Sequence, residues 1–141
     1  MRARYLLDTN VLSEPLRPAP DPRVLARLKD HGDTLATASL VWHELLYGLY
    51  RLGDSSKRRS IARYLEEVVR PTVLLLPYDD QAAAWHAEQR AKLARMGKTT
   101  PFVDGQIATI AKIHSLTLVT NNVRDYANFE DLDVENWHEA S

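Results

Sequence analysis

Four carboxylates stand out by their position in the chain: Asp8, Glu44, Asp104 and Asp125. Asp8 follows directly on the apolar run Tyr5-Leu6-Leu7, and Asp8-Thr9-Asn10 reads as a buried strand opening into a loop. Glu44 lies within the apolar stripe of Val41, Trp42, Leu45, Leu49 and Leu52. A carboxylate buried there needs a counter-charge, a proton or a metal; one at the stripe's edge simply reaches solvent. Asp104 falls in the first turn of an apolar helix, where capping and the helix dipole also favour Asp. Asp125 comes just after the apolar run 116–120, which ends in Asn121-Asn122. Brought together, such carboxylates raise one another's pKa unless a cation neutralises them. The chain has no Cys, and its 5 His have no metal-ligand spacing, so a hard-oxygen site would suit Mg²⁺ or Mn²⁺ rather than Zn²⁺. In phosphodiester hydrolysis such ions acidify water and neutralise the leaving oxygen.

The elements that must position these residues alternate. A strand at 5–7 is followed by a stretch broken by Pro15, Pro18, Pro20 and Pro22. A helix over 23–31 puts Val24, Leu25 and Leu28 on one face, and a small strand spans 34–38. Ser39 caps a helix to about residue 52; a turn leads to a helix over 56–69 that Pro71 stops. The continuous apolar run 73–76 reads as a buried strand. A long helix runs from Asp79 or Asp80 to Met96 and is closed by Gly97. A helix over 103–114 turns Ile107, Ile110 and Ala111 inward, a strand spans 116–120, and another lies near Val134. The pattern predicts one α/β domain over 1–141, with a parallel central sheet of four to five strands flanked by helices on both faces. In such sheets function collects at the carboxyl ends of the strands.

Composition is that of an ordinary globular chain: 141 residues, 45% hydrophobic and 26% charged. With 18 Lys+Arg against 19 Asp+Glu the net charge is −1, which on average does not suggest a nucleic-acid binder. The average hides poles. Arg51, Lys57, Arg58, Arg59 and Arg63 form one basic run, and Arg90, Lys92, Arg95 and Lys98 another, while 125–141 is acidic. Either run is a solvated helix face or a phosphate contact. Trp42, Tyr47 and Tyr50 are read as core or interface rather than as base-stacking platforms. The absence of Cys excludes disulfides, thiolate metal sites and cysteine nucleophiles. The N-terminal apolar run is too short for a signal peptide and no run approaches a membrane span, so a cytoplasmic protein is expected. Gly97-Lys98-Thr99 lacks the earlier glycine of a P-loop, His43-Glu44 is followed by Tyr47 where HExxH needs His, and no GxSxG occurs.

Taken in order, the motifs resemble those of PIN domains, in the VapC/FitB-like variant of prokaryotic toxins. The residues that carry the likeness are Asp8-Thr9-Asn10-Val11-Leu12-Ser13-Glu14, Trp42-His43-Glu44-Leu45, Asp104-Gly105-Gln106-Ile107-Ala108, and Leu118-Val119-Thr120-Asn121-Asn122 with Asp125-Tyr126. Arg17-Pro18 and Trp137 also suit that group. The resemblance implies a Mg²⁺-dependent endoribonuclease acting on structured RNA, often tRNA, through a metal-activated water. It also implies a homodimer inhibited by a VapB-like antitoxin. It assigns Asp8, Glu44 and Asp104 to the acidic core, with Asp8 and Asp104 as metal ligands. Glu44 would act through water or orient the nucleophile, and Thr9, Asn10 and Thr120 would support the core by hydrogen bonds. Many relatives carry Asp where this chain has Asn122; Asn122 and Asp125 are both retained as completing the site. Arg51, Lys57, Arg58, Arg90 and Lys98 are the expected RNA contacts. The alternative is a non-cleaving PIN-like module that grips RNA or an antitoxin.

Overall fold

In a computed structural model, which describes residues 2–139, five parallel strands form one sheet in the order β3-β2-β1-β4-β5. They are β1 (Tyr5–Leu7), β2 (Leu35–Ala38), β3 (Leu74–Leu76), β4 (Thr117–Val119) and β5 (Val134–Glu135). Flanking helices are α1 (Thr9–Leu12), α2 (Pro22–Asp30), α3 (Ser39–Tyr50), α4 (Ser56–Tyr64), α5 (Arg70–Thr72), α6 (Asp80–Arg95) and α7 (Phe102–Ile113). No helix among the described residues is long and apolar enough to cross a membrane.

β1 is central and wholly buried, because parallel strands covered on both faces must be apolar throughout. Tyr5, Leu6 and Leu7 pair with Leu35, Ala36 and Thr37 on one side and with Thr117, Leu118 and Val119 on the other. The chain passes from β1 to β2 on one side and returns to β4 on the other, so the strand order reverses between β1 and β4. A crevice at the carboxyl ends of such a pair is where open α/β sheets hold ligands.

Four sequence expectations change. The chain after Asp8 is a short helix, not a loop, started by the Asp8 side chain accepting from the Thr9 N–H at 2.8 Å. Pro71 does not stop its helix. A π-helical turn over Leu65–Val69 lets the chain run on through Pro71, and the Val73 N–H bonds to the Val69 carbonyl at 2.8 Å. β3 is an edge strand with Leu74 44% exposed, so its apolar run reflects position at the rim rather than full burial. On α2 only Val24 is fully buried, and Leu25 faces outward. The aromatic residues of α3 divide between core and surface. Trp42 is partly buried, while Tyr47 and Tyr50 are exposed with Arg51 and Arg58 at 5.5 and 5.9 Å from their ring centres.

Candidate active site

Asp8 sits at the end of β1 and is 7% exposed. Its main-chain N–H donates to the Val119 carbonyl at 2.9 Å, which extends the β1–β4 pairing by one residue and aims the carboxylate into the crevice. Oδ1 accepts from the Thr9 N–H. Oδ2 accepts from the Thr120 hydroxyl at 2.9 Å and from the Tyr126 hydroxyl at 3.3 Å. The Thr120 oxygen in turn accepts from the Asn122 N–H at 3.1 Å and from Asn10 Nδ2 at 3.4 Å. Asn10 Oδ1 closes the circuit by accepting from the Asn121 N–H at 3.0 Å. Asn10 and Thr120 thus lace the two strand ends together. Thr9 contributes through its main chain, and Asn122 likewise offers its N–H here while its side chain is exposed.

Asp104 is half-buried in the first turn of α7. Burial, then the charges of Asp125 and Asp8, push its carboxyl above the ordinary value, while the Tyr126 hydroxyl works the other way. Asp8 and Asp125, from two other segments of the chain, are therefore close enough to Asp104 to repel it. Tyr126, buried beneath them, has its phenol pushed strongly up, chiefly by its own burial and then by Asp8, Asp104 and Asp125. This residue has no role in the sequence reading. Its only signal there is an aromatic directly after Asp125, and the tertiary fold alone shows its hydroxyl on Asp8.

Glu44 is different. It is exposed on α3, so the counter-charge a buried carboxylate would demand is not required. No hydrogen bond or ion pair among the described residues ties it to Asp8 or Asp104. It lies five residues past the start of α3, about 7–8 Å along the helix axis from the carboxyl end of β2.

Among the described residues no three His, Asp or Glu side chains are arranged as a ready-made metal cage. Asp8 and Asp104 form an all-oxygen pair, with Asp125 adding negative charge. Mg²⁺ keeps several waters and takes one or two carboxylates plus substrate phosphate, so the donor set fits that ion.

The basic residues divide. Arg58 donates to the Leu52 carbonyl at 2.7 Å and so holds the turn between α3 and α4, a structural task. Lys57 is exposed, and Arg90 lies 5.0 Å from the Phe102 ring centre. A second buried group given no role in the sequence reading is Glu14, 1% exposed, which accepts from the Asp21 N–H at 2.8 Å and pairs with His138 Nε2 at 2.9 Å. The nearest charge to it in sequence, Arg17, reaches Oε1 at 3.4 Å.

Residues 5–133 match the PIN domain. The chain belongs to the PIN-domain family. Within that family it is of the VapC/FitB kind. It is 37% identical to Toxin FitB of Neisseria gonorrhoeae, covering 95% of this chain and 99% of that one. It is 30% identical to Ribonuclease VapC2 of Haemophilus influenzae, over 95% and 98% of the two chains. The crystal structure of FitAcB from Neisseria gonorrhoeae superposes with a TM-score of 0.86 at 35% identity, over 96% of this PIN domain and 99% of that chain.

Proposed function

We propose that this PIN domain is a Mg²⁺-dependent endoribonuclease toxin of a type II toxin–antitoxin pair, cutting phosphodiester bonds in structured RNA, tRNA foremost. The observation that carries this reading is the meeting of Asp8, Asp104 and Asp125 at the strand-order reversal, in a chain similar over nearly its whole length to a named toxin and a named ribonuclease. Asp8 and Asp104 are the groups that would hold Mg²⁺. When bound there, the ion offsets phosphate charge and lowers the pKa of water.

The chain's own residues do the positioning. Thr120, Thr9 and Tyr126 fix both oxygens of Asp8, so its carboxylate needs little reorganisation to meet a cation. Asp125 adds charge to the same crevice, and Asn122 presents an amide at its rim. Glu44 faces solvent from α3, suited to orient a water rather than to bind as part of the buried pair. Water attacks phosphorus in line, the bond to the 3′ oxygen breaks, and that oxygen takes up a proton. The products are a 5′-phosphate and a 3′-hydroxyl. Arg51, Lys57, Arg90 and Lys98 supply positive surface for the strand.

A VapB-like antitoxin and a second copy of the chain are the expected partners. The exposed apolar residues Tyr47, Tyr50 and Leu74 on α3 and β3 are available for such contacts. The deciding experiment is cleavage of total RNA by the purified chain with Mg²⁺, with EDTA and Asp8→Asn as controls, followed by mapping of the cut ends. Cleavage that needs Mg²⁺ and Asp8 and leaves 5′-phosphates supports the reading. Ends carrying 2′,3′-cyclic phosphate overturn the mechanism. RNA binding without cleavage would instead make the domain a gripping module.

A further inference from the structure

A large, mostly apolar cleft does not open on the acids themselves but beside them, where α6 meets the turn leading into α7. It has a volume of about 450 Å³. Ala87, Ala91 and Ala94 leave one wall flat and small, and Phe129 supplies an aromatic face. Its floor is His86, whose ring is held by the Tyr78 hydroxyl at 2.7 Å and packs against the backbone of Gly105, the residue after Asp104. The cleft's floor therefore abuts the first turn of α7, which carries Asp104.

The rim is cationic. Arg90 and Lys98 line the cleft, and neither forms an ion pair among the described residues. Arg90 is already stacked on exposed Phe102, its guanidinium 5.0 Å from the ring centre. Gly97, at φ +71°, lets the Lys98 N–H bond back to the Leu93 carbonyl at 2.8 Å, which fixes the turn that carries Lys98. Thr100 also lines the cleft, and its buried hydroxyl has no partner among the described residues. α7 begins there with no side-chain cap on its N–H groups.

A flat apolar slot with an aromatic wall, rimmed by unpaired cations and an uncapped helix start, matches one chemistry: a planar heterocycle joined to a phosphate. We propose that this cleft is a nucleobase subsite, holding one unstacked base of the RNA strand while Arg90 and Lys98 take its phosphate. Because Asp104 stands on the helical turn against which the cleft's His86 floor packs, the base held here belongs to a nucleotide close to the scissile bond. This inference rests on the ribonuclease reading and deepens it: the enzyme selects a strand that can release a base, such as a loop, over an intact duplex.

The test uses the full chain with Asp8→Asn to prevent cutting, and fluorescein-labelled single-stranded RNA 12-mers with or without abasic sites. Base–aromatic stacking predicts about tenfold tighter binding of the intact RNA than of the abasic RNA. Ala91→Trp, an exposed position that fills the slot, removes that preference while leaving affinity for the abasic RNA unchanged. Arg90→Ala weakens both RNAs. Equal affinity of the parent for intact and abasic RNA overturns the subsite, as does an Ala91→Trp chain that keeps the preference. The subsite also falls, with the nuclease reading intact, if Ala91→Trp with Asp8 restored cleaves RNA at the parental kcat/KM. If the chain neither binds nor cuts RNA, both fall together.

Discussion

Thr120→Val is the sharpest test of how the crevice is assembled. The hydroxyl donates to Asp8 Oδ2 and accepts from the Asn122 N–H and Asn10 Nδ2, and Thr120 is fully buried. A hydrogen bond to a charged group contributes about 1.5–3 kcal/mol. Tyr126 still reaches Oδ2 at 3.3 Å, so the carboxylate is not stranded and the loss sits near the lower half of that range. Asn122 is exposed and Asn10 half-buried, so water replaces most of what those donors lose, at about 0.5 kcal/mol between them. The expected loss is about 2–3 kcal/mol. With a urea slope of about 2 kcal/mol per M, the unfolding midpoint falls by about 1 M. Thr37→Val is the control, since Thr37 is as deeply buried on β2 but donates to the uncharged Leu7 carbonyl at 2.7 Å. It should cost about 1 kcal/mol. A Thr120→Val loss no larger than that of Thr37→Val refutes the claim that this hydroxyl supports a charge.

Glu14→Gln tests the other buried carboxylate. The Asp21 N–H, then His138 and Arg17, outweigh burial and hold Glu14 below its ordinary value. Its contribution to stability is therefore complete above the unfolded carboxylate pKa and is lost as pH falls through the lowered folded one. The variant is expected to be less stable at pH 7 and to show a flatter acid limb in urea midpoints taken down to about pH 3. Asp104→Asn runs in the opposite sense. Burial, Asp125 and Asp8 disfavour its charge, so the metal-free variant should melt higher than the parent at pH 7, with the gap closing near about pH 4; a lower Tm at pH 7 contradicts the clustering. Gly105→Ala would drive a methyl into the His86 ring, which Tyr78 and Phe102 hold in place. It is expected to cost about 1–3 kcal/mol despite the better helix propensity of Ala. Combined with His86→Ala the two losses should be less than additive, and strict additivity in denaturant melts would show that the ring moves freely.

Much of the molecule is legible in the sequence. Period and punctuation set the alternation of strands and helices, because an apolar run such as Tyr5-Leu6-Leu7 has few ways to be buried and Pro and Gly allow few backbone conformations. The expected single parallel α/β sheet is the one observed. Local rules failed where neighbours act. Pro71 sits inside a helix because a π-helical turn precedes it, and the apolar run at β3 lies on the sheet's edge.

The site divides in the same way. The acidic residue types, their order, and the exclusion of thiolate chemistry are properties of the chain read in one dimension. Which acids meet is not. Asp8, Asp104 and Asp125 are near one another because strand order reverses between β1 and β4, a consequence of how all five strands pair. The same periodicity that marked Glu44 within an apolar stripe could not say on which side of the stripe's edge its carboxylate falls; packing left it exposed. Tyr126 on Asp8 and His138 on Glu14 join residues 118 and 124 positions apart. Contacts of that range depend on the whole fold, since a side chain's partner is fixed by where the backbone returns and not by its neighbours in sequence.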